Sequence, residues 1–302
     1  MSPLAGPGGL PDTPPLVMGV LNVTPDSFSD GGRHLAVDDA VAGAIAMIDE
    51  GASVIDVGGE STRPGADPVP VETEIRRVIP VIEAIAERCR AAGVRVSVDT
   101  RRERTAVEAI RAGADLVNDV SAALWGVAAD AGVGWVAMHM QGAPQTMQRS
   151  PHYDDVVSEV RSFLEGRAIE AERAGVAETW VDPGIGFGKT VAHNVALLAR
   201  LDELVSDGRP VVVGTSRKRS LGILLARSDA GLAAHPGPPG SSSGDFEGFE
   251  GRNIEPVPVD DRIEGSLATA TWAMIWGASM VRSHDVATTV QAAALVSGAT
   301  VG

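Results

Sequence analysis

Cysteine is nearly absent: Cys89 is the only one in 302 residues. An intrachain disulfide framework is therefore impossible, and a reducing compartment is expected. Cys89 falls inside a predicted helix and reads as a small buried or half-buried side chain. Lysine is scarce as well. Of 25 cationic residues only Lys189 and Lys218 are lysines, so each merits inspection. A cationic surplus is lacking altogether, the net charge being −15. Nucleic-acid surfaces need clustered Lys and Arg against phosphates, so no nucleic-acid partner is expected. A small anionic ligand remains admissible, because a few cations at one site decide locally. No apolar run reaches the length of a membrane span, and no membrane partner is expected. The stretch MSPLAGPGGLPDTPP has neither the basic start nor the apolar run of a signal peptide. Residues 1–15 read as a flexible leader, and a cytoplasmic location is expected.

Two familiar phosphate-binding signatures are missing too. DPGIGFGKT, residues 182–190, ends like a P-loop in Gly188-Lys189-Thr190, but Pro183 stands where the first glycine belongs. Gly184, Gly186 and Gly188 follow a GxGxG spacing without the later glycine of the dinucleotide fingerprint. The loop must serve something other than ATP or NAD.

What is present is an alternation of short β-branched runs with longer helical patterns. Strands are expected at 16–22, 53–59, 94–100, 115–120, 134–140, 179–184, 211–216 and 278–286. Helices are expected at 37–51, 72–93, 103–112, 124–131, 153–175, 191–206, 217–226, 262–277 and 286–297. The strand runs are apolar enough to be buried on both faces, as in a parallel sheet with helical crossovers. Eight such units in about 250 residues point to a single-domain α/β (β/α)8 TIM barrel spanning 16–302, with a doubly wound open sheet as the fallback. Residues 228–261, rich in Gly, Pro, Ser and acids, break the pattern in the seventh crossover. They read as a disordered surface insertion.

The polar words follow strands rather than helices. They are NVTPDSFSDGG after strand one, DVGGESTRPGA after strand two, Asp99-Thr100 after three and Asn118-Asp119 after four. MHMQG, DPGIGFGKT, TSRKRS and RSHD follow strands five to eight. In a barrel all strand C-termini face one mouth, where active sites lie. Asp99, Asn118 and Asp182 are placed to converge there on a flat, donor-rich group such as a heterocycle edge. Asp119 reads as a structural brace. Lys218, in the first turn of a helix, suits ring acceptors and balances the acids. Arg63, Arg217, Arg282 and His284 form an anion-binding rim, with a structural role for His284 equally open. Asn22 and Asp30 offer hard oxygens, so a diphosphate bridged by magnesium fits the rim. Lys189 reads as the tip of a loop and not catalytic. Trp272 and Trp276, spaced i and i+4, face either a partner or the core.

Taken in order, LNVTPDSFSDGG, DVGGESTRPGA, SVDT, NDV, DPGIGFGKT, TSRK and RSHDV closely resemble the dihydropteroate synthase family from about residue 16 to residue 297. The resemblance implies condensation of 6-hydroxymethyl-7,8-dihydropterin diphosphate with p-aminobenzoate, releasing diphosphate. It places Asp99, Asn118, Met138, Asp182 and Lys218 around the pterin. Thr62, Arg63, Pro64, Phe187 and Ser216 match the p-aminobenzoate side. Asn22, Thr62, Arg63, Arg282 and His284 match the diphosphate site, with Asn22 on Mg2+ and Asp30 on a mobile loop. Lys218, Arg282, His284 and Asp30 are the implied catalytic set, and the glycines of the DPGIGFGKT loop are expected to let its backbone pass close to the pterin. The resemblance also implies a homodimer through late helices and a target for sulfonamides, which mimic p-aminobenzoate. Ser283 stands where an apolar residue is common in the family. A pterin-dependent methyltransferase would need neither the Ser-Arg-Lys word nor the Arg-Ser-His site. A non-catalytic pterin-binding paralogue is the other alternative, and the intact loop words speak against it.

Overall fold

The structure, a computed structural model, describes residues 13–23, 33–61, 68–229 and 255–298. Strands and helices alternate as β1 Leu16–Asn22, α1 Arg33–Asp49, β2 Val54–Gly58, α2 Val71–Ala92, β3 Arg95–Asp99, α3 Glu103–Ala112, β4 Leu116–Asp119 and α4 Trp125–Ala131. They continue as β5 Gly134–Met138, α5 Val156–Arg173, β6 Thr179–Asp182, α6 Val191–Ala199, α7 Leu201–Val205, β7 Val212–Gly214, α8 Arg219–Asp229, α9 Ile263–Ile275, β8 Met280–Ser283 and α10 Val286–Ser297. All strand pairs are parallel, in the order β6-β5-β4-β3-β2-β1-β8-β7. Between β6 and β7 a single parallel bridge, Val181 to Val211, brings the ends together. The architecture is the (β/α)8 barrel, and the open doubly wound alternative falls away.

Strand register sorts the side chains. Along each strand alternate residues face the lumen or the helices. Met18, Val54, Leu116, Val136, Trp180, Val212 and Met280 pack together as one buried lumen layer. The opposite phase, including Leu21, Ile55, Val57, Val96, Val98, Val117, Val181 and Val281, joins the helix faces in a second and larger core. This is why nearly continuous apolar strands are required: both faces are dry. Cys89 on α2 is fully buried in that outer core.

Three local outcomes differ from expectation. The helix expected at 191–206 breaks at Arg200, whose φ of −116° ends α6 before α7 begins. Arg200 is tied there to Asp155 and Glu203. The helix expected from 217 starts at Arg219, so Lys218 sits just before it rather than within its first turn. Finally, the described flanks of the stretch 228–261 carry structure, while its residues 230–254 lie outside the described residues. α8 runs on to Asp229, and Val259–Asp261 forms a short 3-10 helix. Val257 donates its N–H to the Gly222 carbonyl, and Arg262 bonds the Val257 and Arg217 carbonyls.

Candidate active site

Continuing each strand two residues beyond the apolar lumen layer reaches the mouth. By register the next lumen-phase positions are Asp56, Asn118, Met138, Asp182, Gly214 and Arg282. Asn22, Gly58 and Asp99 end their strands in the same phase. The polar residues singled out by the strand-end words thus share one face of the sheet.

Arg282 is the hub. Its Nε donates to Asp56 Oδ2 at 2.6 Å and its Nη2 to Asp99 Oδ2 at 2.8 Å. Asn118 Nδ2 donates to the same Asp56 oxygen at 2.9 Å. Burial works against the Arg282 charge, but Asp56 and Asp99 outweigh it and hold the guanidinium more basic than usual. Asp99 moves the other way. Burial raises its carboxyl to about 7 despite Arg282, and the neighbouring Asp56 adds to the rise. Asp182, also raised by burial, is opposed chiefly by Lys218 and by the N–H of Gly184, which bonds Oδ1 at 2.7 Å. Lys218 is lowered by burial to about 8, with Asp182 pulling it back up. Its ammonium donates to the Ile185 carbonyl and lies 4.6 Å from the centre of the Phe187 ring. A Cβ built on Gly214 would lie 3.5 Å from Arg282 Cβ and 3.9 Å from Lys218 Nζ, so the two cations flank one space. Met138 shares the lumen phase with Asp182, its partner in the strand pairing.

Ser216 and His284 meet on the β7–β8 side. The Ser216 Oγ and His284 Nδ1 are 3.0 Å apart, and the His284 N–H donates to the same oxygen at 3.1 Å. Arg217 has a left-handed φ of 59°, a costly backbone for a side-chain-bearing residue. Ser266 accepts its N–H, Arg262 bonds its carbonyl and Asp285 pairs its guanidinium. The Arg217 guanidinium is thus paired with Asp285 in this structure. Asn22 Oδ1 and Asp99 Oδ2 lie 3.8 and 3.7 Å from the point where a Gly58 Cβ would stand. Asn22 Oδ1 is a hard oxygen of the kind magnesium takes, whereas Asp99 Oδ2 is already engaged by Arg282 Nη2. Among the described residues no group of three His, Cys, Asp or Glu is arranged to hold a metal. Asp30, Thr62, Arg63 and Pro64 lie outside the described residues.

The opening loop of β6 has an unexpected occupation. Gly184 and Gly188 have φ of 64° and 62°, and a Cβ on either would strike the His139 or Gln141 carbonyl oxygen, at 1.9 and 2.2 Å. These glycines let one loop lie on the backbone of the loop after β5. The close approach that these two glycines permit in the structure is loop on loop. Lys189, expected at a loop tip, is instead buried beneath it, 3% exposed. Its ammonium reaches Gly184 O at 3.0 Å, Phe187 O at 3.1 Å, His139 O at 3.3 Å and His139 Nδ1 at 2.9 Å. Burial lowers Lys189 to about 7 against the pull of Asp182. Burial and the nearby ammonium lower His139 to about 3.

Asp119 braces as expected, accepting from the N–H groups of Ser121, Ala123 and Leu124 and from Trp135 Nε1. Asp56 is the residue that the strand-end reading missed. Its signal was its phase with Val54 and Gly58, mid-strand rather than terminal.

A family model of pterin binding enzymes matches residues 18–284. The dihydropteroate synthase of Escherichia coli K12 is 44% identical over 288 residues, 93% of this chain and 90% of the relative. The chain belongs to the dihydropteroate synthase family. Solved structures agree. That of Xanthomonas albilineans dihydropteroate synthase with 4-aminobenzoic acid superposes with a TM-score of 0.77 at 42% identity, covering 96% of this chain and 95% of that one. The same enzyme in complex with 7,8-dihydropteroate gives 0.75 at 39% identity, covering 97% and 96%. Dihydropteroate synthases are transferases, and the fold and strand-end motifs of this chain are those of the family.

Proposed function

We infer that the chain is a dihydropteroate synthase, joining 6-hydroxymethyl-7,8-dihydropterin diphosphate to p-aminobenzoate to give 7,8-dihydropteroate and diphosphate. The observation that carries this is the single lumen-facing set Asp99, Asn118, Met138, Asp182, Lys218 and Arg282 at the barrel mouth. In this reading Asp182 accepts the amino and ring N–H groups of the pterin, with its second oxygen directed to the guest. Asn118 and Asp99 complete the edge, Lys218 donates to ring acceptors and Met138 packs on the ring plane. Arg282 and His284 receive the diphosphate. Thr62, Arg63, Pro64, Phe187 and Ser216 form the p-aminobenzoate side. Asn22, with Asp30, would hold a magnesium ion, which supplies charge neutralisation to the diphosphate.

Chemically, the bond between the methylene carbon and the diphosphate oxygen breaks, and its electron pair leaves with the diphosphate. The positive charge on the methylene spreads into the pterin. The aniline nitrogen then supplies the pair for the new C–N bond and loses a proton to solvent. No general base is needed, because the nitrogen attacks without prior deprotonation. Arg282 is already fixed by two carboxylates, so its remaining N–H groups are preorganised for the leaving oxygen. Losing such a donor costs typically about 10²–10³ in rate. A homodimer is part of the same reading, supported by Trp272, 45% exposed and stacked at 5.5 Å on Trp276. A cytoplasmic setting is supported by the lone buried Cys89. Among the described residues no helix is long and apolar enough to cross a membrane. Sulfonamides, as p-aminobenzoate mimics, are expected to compete at Phe187 and Ser216.

The test is diphosphate release from the pterin substrate with and without p-aminobenzoate, alongside detection of dihydropteroate. Release coupled to dihydropteroate supports the reading. No release in either arm overturns it in favour of a pterin-binding protein without turnover.

A further inference from the structure

Lys189 is a cation that the reaction as derived does not use, yet it is buried within the site's own loop. Its two loop acceptors, Gly184 O and Phe187 O, mark the ends of a turn closed by the Phe187 N–H to Gly184 O bond at 3.1 Å. Ile185 and Gly186 lie inside that turn. The Ile185 carbonyl receives the Lys218 ammonium, and the Phe187 ring lies beneath that ammonium at 4.6 Å. On its other side the Lys189 ammonium reaches the carbonyl and Nδ1 of His139, one residue beyond Met138. A single ammonium therefore ties the ends of the β6 turn to the end of β5. We propose that Lys189 is a positioning residue of the reaction, fixing the Ile185 carbonyl and the Phe187 ring where Lys218 and p-aminobenzoate meet them. The inference rests on the synthase reading.

The chemistry favours an ammonium over any other side chain. Four acceptors converge on a group with three donors, each of which can turn to its acceptor. His139, held neutral, can present a lone pair at Nδ1. A planar guanidinium has the wrong shape for carbonyls arriving from two crossing loops. Direct attack on substrate is excluded by position, since the Nζ lies beneath the loop and is engaged by three backbone carbonyls and His139 Nδ1. Phe187 and Ile185 belong to a turn that is otherwise tied by the Gly184 N–H to Asp182 Oδ1, by the Gly186 N–H to Asn194 Oδ1, both at 2.7 Å, and by the Gln148 side chain on the Gly186 carbonyl. Without the ammonium the carbonyls of Gly184 and Phe187 lose their shared partner, while the barrel strands keep theirs.

Lys189→Met and Lys189→Gln in the full chain test this with two readouts. By hydrogen exchange, the amides of Gly186 and Phe187 should lose protection while those of β5 and β6 keep it. In steady state, the KM for p-aminobenzoate should rise about tenfold in Lys189→Met, the worth of one charge-assisted hydrogen bond. The KM for the pterin diphosphate should change far less, and Lys189→Gln, which keeps two donors, should fall between. Equal changes in both KM values, or an unchanged p-aminobenzoate KM, would overturn the proposal. So would failure of both variants to fold, which would make Lys189 a fold element. If the wild-type chain releases no diphosphate, the synthase reading fails. Hydrogen exchange then still decides whether Lys189 organises the turn: protection lost only at 184–187 supports that role, and unchanged protection refutes it.

Discussion

Replacing Arg282 by Met removes one cation from between two carboxylates, and the structure fixes how the cost must vary with pH. The Asp56 side chain is fully buried and the Asp99 side chain is 12% exposed. Breaking a buried pair by removing one partner costs about 3–5 kcal/mol. The lower end applies in mildly acidic solution, where Asp99, titrating at about 7 when folded, is largely neutral and adds no second unpaired charge. Asp99 has an ordinary value of 3.8 and a raised folded value. Its contribution to stability is therefore fully present below 3.8 and is lost as pH climbs to about 7. Arg282 is the group that holds the folded value down. Without it that value rises further, so the variant goes on losing stability above pH 7 where the wild type has stopped. The extra loss is about 1.4 kcal/mol for each unit of further shift. Urea unfolding followed by tryptophan fluorescence at mildly acidic and mildly alkaline pH measures this. The deficit of Arg282→Met should be larger in alkali. A deficit that is equal at both, or smaller in alkali, would refute the charge assignment of the cluster.

Asp119→Ala strips five donor groups of their acceptor and should lower stability by about 4–5 kcal/mol, each lost bond being worth about 1 kcal/mol; calorimetry checks this, and kcat of the folded fraction should be nearly unchanged. Gly184→Ala puts a Cβ 1.9 Å from the His139 carbonyl oxygen at a φ of 64°. Calorimetric titration should show pterin and p-aminobenzoate binding both weakened, whereas Gly208→Ala, with open space around it, should weaken neither. Asn22→Ala should raise the magnesium concentration for half-maximal diphosphate release about tenfold, read by titrating the metal back after chelation.

The barrel and most of its mouth were legible because register converts strand phase into position. Apolar runs ending in Asp99, Asn118 and Asp182 had to deliver those side chains to one rim once the sheet closed. Asp56 escaped because it lies inside its strand, two residues short of the glycines that draw the eye. Only pairing with Ser97 and Val20 reveals that it faces the lumen. Lys189 was misjudged for a related reason. A lysine after three glycines looks exposed in one dimension, and its burial depends on a second loop arriving from β5, which no local pattern encodes. The break at Arg200 is likewise tertiary, set by the bond to Asp155, 45 residues earlier. The structured flanks of 228–261 follow from Arg262 and Val257, whose partners lie on α8 and on the loop before it.

The charges of the mouth explain how a strongly acidic chain can host an anionic substrate without a basic surface. Asp56, Asp99 and Asp182 stand against Arg282, Lys218 and Lys189, so the buried cluster is close to neutral as folded. Each cation is oriented by a carboxylate or a ring of carbonyls, and none is a loose surface charge that salt would screen. A bound pterin that satisfies Asp182 and Asp99 with its own N–H groups also relieves these acids of desolvation without adding charge. Arg282, still anchored by Asp56, is then less claimed by Asp99 and more available to the departing diphosphate. Substrate binding would thus strengthen the donor that the chemistry needs. The deeply buried Asp56, invisible to a reading of strand ends, keeps Arg282 in place when Asp99 turns to the pterin.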